Sequence, residues 1–513
     1  MIIMLSCVLR IAVITREDYA EMSTQQSGYK IELGKIRGTI YDKNMVPLTN
    51  NETRILAAIS PSERSAVTVR SLVDNDELSS VLKKLSSGKP IVCEVEREIE
   101  CDSIAYTKQY VHNSDHSVAE HIIGCVDADG HGSSGLEAAY DELLYSDSVL
   151  SAVFTQNGRG EIIGGIEPAF EGDFSALTNG VVTTLDFNFQ TVVEKAMEGV
   201  VSGAAIVADA KNGKIRAICS LPRFDINNIS QYLNDENSPL LNKALQCYSV
   251  GSVFKPCVAA AALEGKNSDF IYECTGNTLI IDRKFNCHKL DGHGPMDLRS
   301  ALAFSCNCFF YNFAISVGGE SVYKMASSLS FGNEIFLCNN LSAKGGNLTK
   351  LQHLSNDATL ANLSIGQGDL LLSPVSMLTL YCAIASDGKY YVPSLVEKTI
   401  KGGKTTDYYI GKPTRVMSED NARILRESLI DVVRKGTGML AQPNSCSAAG
   451  KTATAQTGRY LPDGTEITNS WFCGMFPAEN PKYVVVVMSG GNSEITTSEI
   501  FARIADGIYQ IEN

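Results

Sequence analysis

Residues 203–220 read GAAIVADAKNGKIRAICS. Two apolar runs, 204–210 and 214–220, flank Lys211-Asn212-Gly213. Asn-Gly between apolar runs signals a hairpin, because both residues tolerate positive φ. Strand-like patterns return only near the end of the chain, at 451–456, 471–477 and 483–488. The stretch between, roughly 250–435, reads as helical, with segments at 254–264, 298–317 and 419–435. Ser418 is placed to cap the last of these and Gly436 to stop it. Strands at both ends with helices between predict an α+β domain. Its single antiparallel sheet is built from both ends and flanked by helices.

Upstream, residues 181–200 (VVTTLDFNFQTVVEKAMEGV) read as a strand entering a helix, with Phe189, Val192, Val193 and Ala196 at helical spacing. Asp186 reads as a turn or cap residue. A domain boundary is placed just before this segment, near 175–180. Residues 28–145 mix short β-rich pieces (29–33, 91–95) with a charged helical piece (74–85) and the helical GLEAAYDELL at 135–144. A strand-rich patch at 152–165 closes that region. The division is therefore 1–20, 21–175 and 176–513.

The chain has 513 residues, 44% hydrophobic and 20% charged, which excludes disordered, collagenous and low-complexity classes. Its net charge of −14 argues against a nucleic-acid partner, which would need a basic face. Fifteen cysteines, an odd number, are spread along the chain and read as small buried thiols rather than a disulfide framework. Residues 1–14, MIIMLSCVLRIAVI, are apolar except for Ser6, Cys7 and Arg10. As a helix they span about 21 Å, short of the roughly 30 Å of bilayer hydrocarbon. They lack the basic flank and cleavage site of a signal peptide. The polar stretch that follows favours the outer part of a membrane anchor over an ordinary buried N-terminal element.

Three short constellations carry chemistry. Ser252 and Lys255, in YSVGSVFKPCVAAAALE, stand at i and i+3 of a helix start and so share one face. A desolvated lysine loses its proton readily and would serve as base to the serine. Alone, the Ser-x-x-Lys pattern arises about twice by chance in a chain of this length. Ser305-Cys306-Asn307 lies 53 residues on, in ALAFSCNCFFYNFA. Ser305 would relay a proton and Asn307 hold an amide; a helix-capping pair is the alternative. Lys451-Thr452-Ala453-Thr454 reads as a strand of small residues. It would bind a substrate backbone by strand addition, with Lys451, Thr452 and Thr454 forming a carboxylate pocket. An edge strand blunted by a lysine is the alternative there.

The ordered set Ser-x-x-Lys, Ser-x-Asn, Lys-Thr-x resembles the motif set of penicillin-binding proteins and β-lactamases. Over nearly the whole chain the sequence resembles the class B penicillin-binding proteins, monofunctional D,D-transpeptidases. IRGTIYDKN (36–44) and GLEAAYDELL match that family's N-terminal module. GAAIVADAKNGKIRAICSLPRFDINN (203–228), ANLSIGQGDLLLSP (361–374), KGTG (435–438) and WFCGMFPAENPKYVVVV match its catalytic domain. The resemblance implies a transpeptidase domain (176–513) of penicillin-binding-protein/β-lactamase-like fold. A β-rich pedestal or dimerisation module (21–175) and a partial anchor and stalk (1–20) would precede it. It implies that Ser252 attacks the penultimate D-Ala of a peptidoglycan stem peptide, with Lys255 as base, Ser305 and Lys451 as proton relay and Asn307 on the donor amide. Thr452, Ala453 and Thr454 would line the substrate strand, and penicillin and other β-lactams would acylate the same serine. It implies further a catalytic domain outside the cell membrane, held by a single N-terminal anchor, and a membrane glycan polymerase as partner. The free thiols sit uneasily with that location; an oxygen-poor habitat would relieve the tension.

Two departures stand out. Cys306 replaces the usual Asp of the middle motif. Ala453 replaces the usual Gly of the third, where a methyl would narrow the groove. A β-lactamase is a rival, but the nearest Glu-x-x-Leu-Asn segment, at 334–338, ends in Cys338. A catalytically silent β-lactam sensor or scaffold is the other rival, with Ala453 as its only hint. No cofactor is implied for catalysis. Cys274, Cys287, His293 and Cys306 form Cys-x12-Cys-x5-His-x12-Cys, an acceptable tetrahedral zinc set, with His288 as a spare. Some rod-shape class B proteins have a zinc site with similarly placed ligands. A Cys274–Cys287 disulfide or plain free thiols are the alternatives.

Overall fold

The structure, a computed structural model, describes residues 28–513 except 115–116, 266, 268, 410, 461 and 492. The proposed anchor, 1–14, lies outside the described residues. The hairpin forms as read. Strands Ser202–Asp209 and Ile215–Leu221 pair antiparallel, and Gly213 takes φ +70° at the turn. A Cβ there would meet the Tyr391 carbonyl oxygen at 2.9 Å, so both backbone and space demand glycine.

The late strands are Ala449–Tyr460, Glu466–Phe476 and Tyr483–Gly490. Tyr483–Gly490 pairs with Ser202–Asp209, closing a five-stranded antiparallel sheet from both ends of the domain. Strand periodicity of two sends its residues to two cores. Ala204, Ile206, Ala208, Val484 and Val486 pack with helices Lys255–Glu264 and Pro374–Ala385. Ala205, Val207, Val485 and Val487 pack with Phe189 and Val193 of helix Phe187–Ala196 and with Phe501, Ile504 and Ile508 of helix Thr497–Glu512. A strand buried on both faces has no polar side, hence the unbroken valine run 484–487. Asp186 caps helix Phe187–Ala196, accepting from the Asn188 and Phe189 amides at 3.0 and 3.3 Å. The fold is α+β, with a β-rich N-terminal region ahead of the five-stranded sheet.

The segment 298–317 differs from its reading as one helix. It is two helices, Leu298–Ala303 and Asn307–Val317, separated at Ser305, whose φ is +55°. Apolar residues flank the break on both sides, and only the polar Ser305 and Asn307, the capping pair weighed above, mark it in the sequence. The segment 135–144 is likewise two short helices, Gly135–Ala139 and Asp141–Leu144.

The N-terminal part is stitched by pairing into the part that carries the five-stranded sheet. Thr39–Tyr41 runs parallel to Gly180–Thr183, which also pairs with Val396–Lys401. Asp42 is buried and accepts from the Asn44, Val46 and Phe187 amides at 2.7, 2.8 and 3.2 Å, so it reaches the helix start beyond the expected boundary. IRGTIYDKN and GLEAAYDELL meet through Arg37, whose Nε donates to Glu137 Oε2 at 2.6 Å and whose Nη1 lies 2.9 Å from Asp141 Oδ1. His112 Nε2 sits 2.9 Å from the other Glu137 oxygen. Burial would raise the Glu137 carboxyl, but the contacts with His112 and Arg37 hold it below its ordinary value. Arg37→Met leaves this carboxylate, 1% exposed, without its guanidinium. The expected cost is about 3–5 kcal/mol, read as a lower urea midpoint; an unchanged midpoint would contradict it.

Candidate active site

Ser252 lies on the 3₁₀ turn Gly251–Phe254, which feeds helix Lys255–Glu264 with Pro256 in its first turn. Residues i and i+3 eclipse in such a turn, so Ser252 and Lys255 fall on one side. Gly251 has φ +61°, and a Cβ there would sit 3.1 Å from the Ala455 methyl and 3.3 Å from the Ala453 methyl. The bare Gly251 backbone thus packs on strand Ala449–Tyr460. From the other side Gly366 seals it: the Gly251 amide donates to the Gly366 carbonyl at 2.9 Å, and a Cβ on Gly366 would meet the Gly251 oxygen at 2.0 Å. Gly366-Gln367-Gly368 is therefore a packing element beside the serine. Trp471 is buried and its indole N–H donates to the Ser249 carbonyl at 3.0 Å, a core-packing role.

Lys255 is fully buried. Its Nζ donates to the Ser305 carbonyl at 2.7 Å, to Ser305 Oγ at 3.1 Å and to Asn307 Oδ1 at 2.7 Å. The break at Ser305 makes this possible, because it turns both a backbone carbonyl and two side chains toward one amine. A non-glycine residue in the left-handed region is strained, and such residues persist where surrounding contacts fix them. Burial pushes the Lys255 amine down to about 7, against the thiols of Cys306, Cys287 and Cys308, which favour its charge.

Lys451 is also fully buried, and its Nζ donates to the Thr452 carbonyl at 3.1 Å. Burial, with the Lys255 charge nearby, pushes its amine well below the ordinary range. Ser252, Ser305, Asn307, Thr452, Ala453 and Thr454 line one cleft of about 750 Å³. The cleft continues past Thr468, Ser470, Ser489 and Ser493, a wall of hydroxyls suited to a peptide's amides. The Ala453 methyl is 7% exposed and packs toward Gly251, so the third-motif departure is met largely by the glycine opposite. Sequence reading took KGTG only as a family segment and missed that Thr437 lines this cleft, as does His288.

Beside the cleft, Cys274, Cys287, His293 and Cys306 bring one ligand atom each within 4.8 Å of one another. Cys274 and Cys287 sulfurs lie 3.6 and 3.5 Å from His293 Nδ1, and Cys287 Sγ lies 4.0 Å from Cys306 Sγ. A tetrahedron with metal–sulfur bonds near 2.3 Å has edges of about 3.5–3.8 Å, so the donors fit zinc. The neighbouring Cys306 and Cys308 thiols push the Cys287 thiol far below its ordinary range. The backbone closes without a Cys-x-x-Cys knuckle: the Cys287 amide donates to Gly276 at 2.8 Å and the His293 amide to Cys274 at 2.9 Å. The fourteen described cysteines are all free. His288 Nδ1 stands 3.9 Å from Cys287 Sγ, outside the set of four.

The family model described as "Penicillin binding protein transpeptidase domain" matches residues 203–510. Stage V sporulation protein D of Bacillus subtilis is 26% identical over 495 residues, covering 88% of this chain and 73% of that one. Penicillin-binding protein PbpB of Mycobacterium tuberculosis is 30% identical over 430 residues, 77% of this chain. The match spans 61% of PbpB, about three fifths of its length. In fold, the chain is similar to penicillin-binding protein 3 of Mycobacterium tuberculosis solved with aztreonam. The TM-score is 0.67 at 24% identity, covering 94% of this chain and 97% of that one. The match runs from the hairpin at 203 into the last helix and takes in all three motifs, and so the chain belongs to the penicillin-binding protein transpeptidase family.

Proposed function

We propose that the chain is a peptidoglycan D,D-transpeptidase that works through an acyl-enzyme on Ser252. One observation carries the reading: a buried amine, held by Ser305 and Asn307, stands one helical turn from Ser252, which faces a cleft walled by Ser305, Asn307 and Thr452–Thr454. Neutral Lys255 takes the Ser252 proton as the oxygen attacks the penultimate D-Ala carbonyl. The backbone amides of Ser252 and Thr454 receive the oxyanion. Ser305 and Lys451 return a proton to the departing D-Ala amine, and the C–N bond breaks. The amine of a second stem peptide then attacks the ester, restoring the serine and forming the cross-link. Lys451, Thr452 and Thr454 hold the terminal carboxylate and Asn307 the donor amide.

β-Lactams acylate the same oxygen. No carboxylate is among the described residues lining the cleft, and Glu334 is exposed and accepts from the Ser342 hydroxyl instead. Without a carboxylate of the Glu-x-x-Leu-Asn kind to activate a deacylating water the acyl-enzyme is long-lived, which argues against the β-lactamase reading. Incubation with benzylpenicillin followed by intact and peptide mass spectrometry tests this. A stable adduct of one penicillin on the peptide bearing Ser252 is expected. Turnover without an adduct means a β-lactamase, and no reaction means a silent scaffold.

Residues 176–513 form the catalytic domain in this reading, and 21–175 the pedestal. Cys274, Cys287, His293 and Cys306 hold a structural zinc, supported by the donor distances above. Among the described residues no helix is long and apolar enough to cross a membrane. Residues 1–14 supply the outer part of a membrane anchor, with the catalytic domain outside the cell membrane and a membrane glycan polymerase reached through the pedestal.

A further inference from the structure

The loop after helix Glu419–Lys435 ties the second motif to the third. The Thr437 amide donates to the Ala303 carbonyl at 3.1 Å, two residues before Ser305. Gly436 permits this approach, since a Cβ there would lie 2.1 Å from the same Ala303 oxygen. The Gly438 amide closes back on the Val432 carbonyl at 2.9 Å. Arg299 Nε donates to Asp431 Oδ2 at 2.5 Å, a second tie between helix Leu298–Ala303 and helix Glu419–Lys435. From this fixed backbone the Thr437 side chain reaches the cleft, where its Oγ1 lies 2.7 Å from Thr452 Oγ1.

We propose that Thr437 is a positioning residue for carboxylate recognition: its hydroxyl donates to Thr452, so that Thr452 presents its own proton to the substrate carboxylate. A hydroxyl that accepts one hydrogen bond becomes a better donor in the next. A carboxylate accepts and does not donate, so it requires Thr452 to face it with O–H rather than a lone pair. Thr437 fixes that direction. Because its backbone is pinned to Ala303, it also fixes the distance between the carboxylate end of the substrate and the Ser305 turn. Nothing covalent changes at Thr437.

This rests on the transpeptidase reading, and the experiment separates the two. Acylation kinetics are measured with benzylpenicillin, which bears a carboxylate, and with its methyl ester, which does not. The wild type is compared with Thr437→Val and Thr437→Ser. Thr437→Val is expected to lower the second-order acylation rate with the acid about ten-fold. The loss falls in affinity, with the limiting first-order rate changed less than about two-fold. Thr437→Ser keeps the hydroxyl and stays within about two-fold of wild type. The ester reacts slowly with all three, with little difference among them. In a Thr452→Val background, Thr437→Val adds nothing further. Equal losses for Val and Ser, equal losses for acid and ester, or no loss at all overturn the proposal. If Thr437→Val does not fold, Thr437→Ala is measured against the same outcomes. A wild type that is not acylated by the acid overturns the transpeptidase reading itself, and this inference with it.

Discussion

Fluorescent penicillin is expected to label the wild-type protein and not Ser252→Ala, and Lys255→Met is expected to fall nearly as far, by at least about 10³-fold in acylation rate. Methionine keeps the length and apolar stem of the lysine but cannot accept a proton. It also leaves the Ser305 carbonyl and Asn307 Oδ1 without the donor that holds them at 2.7 Å. Both losses bear on the chemical step, so the first-order rate falls rather than the affinity. The wild-type rate depends on pH in a direction set by the amine. Burial has brought Lys255 down to about 7, so below that pH the amine is protonated and cannot serve as base. The rate therefore rises with pH through about 7 and levels above it. A flat profile between about pH 5.5 and 9, or a Lys255→Met variant that keeps a tenth of the activity, would exclude Lys255 as the base.

What could be read from sequence follows the range of the interactions involved. The hairpin at 203–220 and the capped helix Glu419–Lys435 are local, and Ser418 caps the latter as expected by accepting from the Asn421 amide at 3.3 Å. That the sheet joins both ends of the domain could be read from strands at either end with helices between, but the pairing of Ser202–Asp209 with Tyr483–Gly490 is a remote contact that only the structure supplies. Ser305 reads from sequence as part of one continuous helix, whereas the chain turns there between two helices. Its φ of +55° goes with the contacts its carbonyl and Oγ make to Lys255, a residue 50 positions away, and the apolar runs on either side of Ser305 and Asn307 mask the turn. Thr437 was passed over because its partner Thr452 lies on another element, and a threonine in a Gly-Thr-Gly loop looks like any turn residue. The shared sheet through Gly180–Thr183 was invisible too: a three-residue strand such as Thr39–Tyr41 has too few positions to show alternation.

Zinc removal shows how far the cysteine cluster reaches into the catalytic centre. Purified protein is expected to carry close to one equivalent of zinc. Cys274→Ser, or prolonged chelation, is expected to leave under about a tenth of an equivalent. Structural zinc contributes about 10–16 kcal/mol to small metal-dependent folds, and even a fraction of that in a domain with its own core lowers Tm by about 10 °C. The effect on activity follows from where one ligand stands. Cys306 lies between Ser305 and Asn307, and its sulfur accepts from the Phe309 amide at 3.4 Å at the start of helix Asn307–Val317. A metal that pins Cys306 therefore pins the left-handed turn that aims Ser305 and Asn307 at Lys255. Cys274 is in none of the three motifs, yet its substitution is expected to slow penicillin acylation about ten-fold or more, measured well below the lowered Tm. Metal-free protein with unchanged Tm and unchanged acylation would show the thiols to be core packing only. A lowered Tm with unchanged acylation would confine the metal to stability and sever its tie to the Ser305 turn.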